Sequence, residues 1–463
     1  MKPFVEGRHE AQAGVFSRFD MVVQNAVAEG ARGIIAMPFK SDWGPVKEFV
    51  ELTAFSDAKE IFGEGQTARL LRVAFWGNPL AVKAYRIASS KLAKAKLALD
   101  TIEIEALYAG TRGNKFQVTI RPTLADPAKK ELILAEDALQ LESIIFSSIA
   151  ELIEIANDSA YIRVKGTSEA MPVDASGQAL TGGHSGEDVT TTEYSEFLNA
   201  LAAEYANRFV LDGVKDEAIK QMCIQYEKEQ RQTGKLIKFD TGGMDALAID
   251  YYGVSNVKQW AKKDGVKYEP EEVAVYACAA AASCPLNESL AQKVTPFDEV
   301  QKLNNVELNK AIKEGNLCFI QEGRTVKFST PVNTMTTIKN LDSVITLDPE
   351  ADVDAVIRTL QKIKIIEAAD YIFEAQDKLF QKPISKANTE ARRLATAQEM
   401  KSKLLAPLAE QEVIERGSFD CYPNPDYHGA TPKKNAYKDE QYYVTTFKLL
   451  DAAEKIYNQN KAS

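Results

Sequence analysis

Near Leu97 the sequence changes texture, and that change limits the possible folds more than any other feature. Before it, elements of mixed type follow one another. An apolar run, "RGIIAMPF" (Arg32 to Phe39), reads as a buried strand, and "WGP" at Trp43 to Pro45 breaks the chain. A helix-like "TARLLRVAFWG" stops at Gly77 with Pro79 beyond it, and "LAVKAYRIA" reads as another strand. After Leu97 come "DTIEIEALYAG", "NKFQVTIRPT", "KKELILAE" and "SAYIRVKG", short runs alternating apolar and polar residues between turns. A period of two fits half-buried strands, so this stretch predicts a small β domain holding one helix, "SSIAELIEIAND".

The α/β alternation then resumes. "TTEYSEFLNALAAEYA" predicts a helix capped by Thr191 or Thr192, "RFVLDG" a strand, and "KDEAIKQMCIQYEKEQRQTG" a helix closed by Gly234. "EEVAVYACAAAA" predicts a helix stopped by Pro285, and "NLCFIQEGRTVKFST" a hairpin turning at Glu322 and Gly323. Two long amphipathic helices, "VDAVIRTLQKIKIIEAADYIFEAQDKLFQ" and "NTEARRLATAQEMKSKLLAPLAEQ", flank Pro383, and "EQYYVTTFKLL" supplies a last strand. At 463 residues the chain exceeds one ordinary core. The fold class expected is α/β multidomain, with a core α/β domain interrupted by a β-rich insertion.

Composition removes several function classes. No run of about 18 apolar residues suggests a membrane span, and "MKPFVEGRHEAQAG" lacks the apolar stretch of a secretory signal. The expectation is a chain made and kept in a cytosol, with no direct membrane contact. A net charge of −10 supplies no broad positive field for a phosphate backbone, so no direct nucleic-acid contact is expected. The five cysteines (Cys223, Cys278, Cys284, Cys318 and Cys421) show no CxxC spacing, so neither a disulfide framework nor a metal site is expected. His9, His184 and His428 sit in polar or glycine-rich stretches with no identifiable partner for acid–base work.

The stretch "ALTGGHSGEDVTTTEY" (Ala179 to Tyr194) raises the question of a phosphate cradle. A cradle needs glycines directly between a buried strand and a helix. Here "VDASGQAL" precedes them, the lysine of a P-loop is missing, and Glu187 and Asp188 repel an anion. A flexible connector between domains accounts for the glycines better. "DTGGMDAL" (Asp240 to Leu247) is a similar glycine loop, with Asp240 and Asp245 beside it. No catalytic residue, cofactor-binding residue or cofactor is expected. An α/β hydrolase or nucleotide-binding enzyme ranks last, since no convergent nucleophile, base and oxyanion site can be named.

Several runs in one order carry a resemblance: "GVFSRF", "GARGIIAMPFKSDWGP", "NPLAVKAYRI", "ALYAGTRGNKFQVTI", "TGGHSGE", "CPLNESLAQKV", "VNTMTT" and "LFQKPISKANTEARR". Together they resemble the tail sheath proteins of contractile bacteriophages and of related prophage and bacteriocin-type particles. The resemblance implies a division into an N-terminal arm (1–20), a core α/β domain in two parts (21–96 and 183–337), a β-sandwich insertion (97–182) and a C-terminal sheath domain (338–463). It implies a homo-oligomer of stacked six-subunit rings, a helical sheath around a tail tube protein that meets baseplate and tail terminator proteins. Contraction would drive the tube through a bacterial envelope. The place would be the virion tail, or a phage-tail-like particle, assembled in the host bacterial cytoplasm; a non-phage injection or bacteriocin particle is the alternative.

In the family, terminal arms add strands to neighbouring subunits, which marks Gly14, Val15, Phe16, Ser17, Arg18 and Phe19 as arm residues. Relatives often end in an apolar strand after an "EKIY"-like run, whereas this chain ends in the polar "EKIYNQNKAS". Either the exchanged strand is Tyr442 to Leu450, with Tyr442, Tyr443, Val444 and Phe447, or the C-terminal contact differs. The window from Lys378 to Leu404 carries Lys378, Lys382, Lys386, Arg392, Arg393, Lys401 and Lys403 against only Glu390 and Glu399. A solvated helix face accounts for such a run; the resemblance instead points it at the tube.

Overall fold

The computed structural model describes residues 32–166, 169–341 and 352–454, with two short strands, Lys2–Pro3 and Phe16–Ser17. The chain divides into two compact units, Ala31–Tyr371 with Leu449–Ser463, and Met1–Gly30 with Ile372–Lys448.

A seven-stranded sheet organises the larger unit, in the order Asn316–Leu317, Val254–Val257, Lys238–Gly242, Arg208–Val210, Ile34–Phe39, Ala81–Arg86, Phe49–Leu52. Neighbours are parallel except at the edge, where Phe49–Leu52 runs antiparallel to Ala81–Arg86. Ile35, Met37 and Phe39 face one apolar cluster with helices Arg69–Trp76 and Pro270–Ser283. Ile34 and Ala36 face a second, with helices Thr191–Leu201 and Glu217–Gln232. Burial on both faces is why "IIAMPF" is one continuous apolar run without alternation. Helix Pro270–Ser283 is buried on all sides from Val273 to Ala282, as a helix apolar all round must be.

Two features of this sheet differ from expectation. Asp240, Thr241 and Gly242 belong to the central strand Lys238–Gly242, not to a loop. That strand hides from pattern reading because Lys238 and Asp240 are charged yet buried. The first helix after the sandwich is capped by Thr190, whose extended backbone and hydroxyl accepting from the Thr192 amide make it the boundary residue instead of Thr191 or Thr192.

The sandwich packs a four-stranded sheet, Leu139–Phe146, Lys130–Glu136, Phe116–Pro122 and Ala175–Ala179, against a three-stranded one, Ile162–Gly166, Ile102–Ala106 and Lys96–Ala98. Phe116, Val118, Leu132, Leu134 and Phe146 meet Ile104, Ile162 and Val164 in its core. Ala175–Ala179, expected as loop, is an edge strand; four of its five residues are exposed, so it has no apolar alternation to betray it.

In the smaller unit, helix Glu390–Met400 continues through a π-turn, Lys401–Leu405, into Ala406–Glu410. Pro407 lacks the amide that a regular ladder needs at this point, and a one-residue expansion of the helix accommodates it. Strands Asp420–Pro423 and Tyr443–Thr446 pair antiparallel, Cys421 opposite Thr445 and Tyr422 opposite Val444. The single long helix expected upstream is two, because Val353–Leu360 ends before Ile363–Gln381 begins. Phe16–Ser17, within the expected arm, pairs in parallel with Lys2–Pro3.

Candidate assembly surfaces

The glycine stretch is a double crossing. Ser89 donates to the Gly186 carbonyl at 2.8 Å, Ala93 and His184 exchange bonds of 3.0 Å, and Lys96 and Thr181 exchange bonds of 2.8 and 2.9 Å. The connector expected to be flexible is tied to the outgoing chain by backbone bonds at two isolated antiparallel bridges, Ala93 with His184 and Lys96 with Thr181. Gly183 is needed for close approach: a Cβ there would stand 2.4 Å from the Gly110 carbonyl oxygen. Asn114 closes the same point, accepting from the Gly183 amide at 2.8 Å and donating to its carbonyl at 2.9 Å. Gly183→Ala is therefore expected to cost about 1–3 kcal/mol by overpacking, read as a lower urea midpoint and faster proteolysis at the crossing. An unchanged midpoint would show that the two strands part freely.

Beside the crossing, the loop after Ile34–Phe39 sends Trp43 into the sandwich core, where it is 2% exposed. Its ring stands edge-on to Tyr108 and Phe116, each at 5.3 Å, and Arg112 lies 5.3 Å over it. Arg112 in turn forms a two-pronged pair with Glu136. Arg86 is fully buried below and donates to the carbonyls of Gly44 at 2.7 Å and Ala109 at 2.9 Å. Burial pushes its guanidinium down to about 10, against the opposing pull of Asp42 and Glu187. The Arg86 bond to Ala109 thus ties the sandwich to its host sheet.

At the crossing the helix N-terminus and the acidic pair are engaged with the protein itself. Glu193 and Thr190 form a reciprocal capping box at the helix N-terminus, and Asp188 pairs with Lys91 at 2.7 Å. His184 Nδ1 accepts from the Gly186 amide at 2.9 Å, which commits it to the turn. His428 Nε2 accepts from the Tyr442 amide at 3.0 Å; burial, then Arg393, lowers its pKa. Cys223, Cys278, Cys318 and Cys421 are buried and Cys284 is half-buried. Among the described residues no group of three or more His, Cys, Asp or Glu is placed to hold a metal ion.

The largest concentration of charge is internal. Glu367 and Asp370, on the first turns of helix Ile363–Gln381, meet cations from four parts of the core. Glu367 pairs with Arg208 at 2.6 Å, Arg32 at 2.8 Å and Lys238 at 3.4 Å. Asp370 pairs with Arg231 at 2.7 Å and Lys238 at 2.9 Å, and Arg208 also holds Asp240 through two bonds of 2.6 and 2.7 Å. Burial alone would raise Glu367, but Lys238, Arg208 and Arg32 outweigh it and hold it at about 2. Asp370 likewise stays below the usual carboxylate range, the effect of burial being exceeded by Arg231 and Lys238. Sequence reading missed this clamp because its members lie up to 335 positions apart.

The expected tube-facing cations differ in their surroundings. Lys382 and Lys403 share Glu399 at 3.2 and 2.7 Å, holding that carboxyl below its ordinary range. Lys401 pairs with Asp420 at 3.0 Å. Arg392 donates to the Ala387 carbonyl and Arg393 to Asn388 Oδ1, each at 2.8 Å. Lys386 is exposed and Lys378 half-exposed. Of the expected arm residues, Tyr443 and Val444 lie in the strand paired with Asp420–Pro423, Tyr442 stacks on Tyr427 at 3.7 Å, and Phe447 is half-buried. Gly14, Val15, Arg18 and Phe19 lie outside the described residues.

Comparison with known proteins is concordant along the chain. A model of the phage tail sheath protein beta-sandwich domain matches residues 89–185, and one of the phage tail sheath protein central domain matches 187–334. A model of the tail sheath protein Gp18 domain III N-terminal region matches 32–75. The chain is 24% identical over 392 residues to the uncharacterized protein YqbK of Bacillus subtilis (strain 168), covering 80% of this chain and 79% of that one. Over the same length and shares it is 23% identical to the phage-like element PBSX protein XkdK of that organism. Among solved structures, the sheath tail protein from Desulfitobacterium hafniense is similar in fold, with a TM-score of 0.73 at 22% identity, over 94% of this chain and all of that one. The contracted helical sheath of the anti-feeding prophage gives a TM-score of 0.56 at 9% identity, over 98% of this chain and 100% of the other.

Proposed function

The chain belongs to the contractile phage tail sheath protein family, and from that premise we propose that copies of it assemble as stacked six-subunit rings around a tail tube and contract to drive the tube through a bacterial envelope. The observation that carries this reading is the succession of three sheath domain models in one chain, from residue 32 to residue 334. The particle is a phage tail or a phage-tail-like one, built in the host cytoplasm between a baseplate and a tail terminator. The relation to the PBSX protein and the fold likeness to the anti-feeding prophage sheath keep the second kind of particle in view. In this reading residues 1–20 are an arm, 21–96 and 183–337 the core, 97–182 the insertion and 338–463 the sheath domain.

The two-stranded sheet of the smaller unit supports arm exchange. Each of its strands has one edge unpaired among the described residues, and a strand edge recruits a further strand by main-chain bonds alone. An arm containing Gly14 to Phe19 of one subunit, or the Tyr442 to Leu450 segment of another, extends such an edge. Electron microscopy of the purified protein tests the whole reading: striated tubes are expected, and dispersed monomers at every salt and protein concentration would overturn it.

Lys378, Lys382, Lys386, Arg392, Arg393, Lys401 and Lys403 face the tube in this proposal. Exposed pairs such as Lys382–Glu399 contribute under about 1 kcal/mol each and weaken with salt, which suits a contact that must break during contraction. The triple variant Lys382→Glu, Arg392→Glu, Arg393→Glu is expected to fold and form empty sheath-like polymers but to leave added tubes unsheathed. Normal sheathing by this variant would move the tube-facing surface elsewhere.

A further inference from the structure

Glu227, on helix Glu217–Gln232, is fully buried, and neither of its carboxyl oxygens has a hydrogen-bond partner. Arg231, one turn along, comes only to 3.9 Å with Nε. That guanidinium is already committed, to Asp370 through both terminal nitrogens and to the Tyr252 hydroxyl through Nε. Gly253 closes the site from the other side, since a Cβ there would stand 1.9 Å from Glu227 Oε1. The charged groups facing the carboxyl are Arg231 and Lys228 of its own helix, Lys238 of the sheet and Asp370 of helix Ile363–Gln381. An ionised carboxylate without a hydrogen bond is among the costliest groups to bury. A proton removes that cost at once.

We propose that Glu227 is a buried proton-binding site that sets the hold of the ion clamp on helix Ile363–Gln381. With its proton, Glu227 leaves Arg231 to Asp370 and the Tyr252 hydroxyl; when the proton passes to solvent, the new carboxylate competes with Asp370 for the same guanidinium. Burial pushes the group up to about 8, with Arg231 and Lys238 pulling it down and Asp370 pushing it further up. Because the folded chain holds this proton more tightly than the unfolded chain, the stability it protects is full below the ordinary glutamate range and declines as pH rises to about 8. Glu367 and Asp370 act in the opposite direction at low pH, so the clamp is weakened from both sides.

The test compares the full chain with Glu227→Gln, which keeps shape and cannot ionise. Backbone hydrogen exchange across residues 363–371 is expected to be equal in the two proteins at about pH 4, where Glu227 holds its proton in the closed and the open forms alike. At about pH 9, where the proton is gone from the closed and the open forms alike, exchange in the wild type should be at least about tenfold the faster. Infrared spectra should show a protonated-carboxyl carbonyl band that titrates near 8 and is lost in the variant. Equal exchange at high pH would overturn the clamp role, and a band that disappears in the ordinary glutamate range would overturn the proton site. Titrating that band in wild-type chain isotope-labelled at glutamate decides the second point even if Glu227→Gln does not fold.

Discussion

Arg208→Met is expected to destabilise the larger unit by about 3–5 kcal/mol, the cost of leaving a buried carboxylate without its partner. Arg208 is 2% exposed and bridges Asp240 of the sheet to Glu367 of the long helix. Methionine is of similar length but removes both pairs, so the buried Asp240 carboxyl loses its two-pronged partner. The loss should appear as a lower denaturant midpoint with an unchanged slope. Adding Asp240→Leu should recover much of it, because an apolar pair replaces a buried ion pair at little net cost. The acid limb should move too. In the wild type Glu367 is held at about 2, so its contribution is complete above the ordinary glutamate range and lost only as pH falls towards that value. Without Arg208 that loss should begin at higher pH. A variant as stable as the parent, with the same acid limb, would show the clamp to be energetically idle.

Trp43→Ala is expected to cost about 3–5 kcal/mol by opening a cavity in the sandwich core. The loss should be local. Trp43 reaches the sandwich from the loop after Ile34–Phe39, so its removal cuts an anchor between host and insertion while leaving the seven-stranded sheet its own apolar clusters. Proteases should cut first around residues 89–96 and 181–186, and Trp43→Phe should restore part of the resistance. Uniform unfolding of the chain, with no preferred cut, would mean that insertion and host melt as one.

Where the sequence carried a continuous apolar run or an alternation, the elements were legible: "IIAMPF", "AVKAYR" and the alternating sandwich runs all form strands near the expected places. The omissions share a physical cause. Lys238–Gly242 was hidden because charge occupies a buried strand, which is affordable only through partners such as Asp370 that lie far off in sequence. Ala175–Ala179 was hidden because an edge strand needs no apolar face. Trp43 read as part of a chain break, and no local pattern says that a loop residue completes the core of a segment beginning dozens of residues later. The ordered family motifs pointed to the sheath reading earlier than any single site could.

The double crossing has a consequence for engineering. Ala93 and His184 already exchange backbone bonds, so the chain between them is a side branch hung from two neighbouring points of the host. A tight hairpin turn between those points would bypass the branch without rerouting the main path, and a foreign module whose ends lie equally close could be hung there instead. Either graft must also reckon with Trp43 and Arg86. The first would lose its aromatic cover and the second its Ala109 acceptor, so a workable docking port carries a polar residue at position 43 and a shorter, uncharged one at position 86.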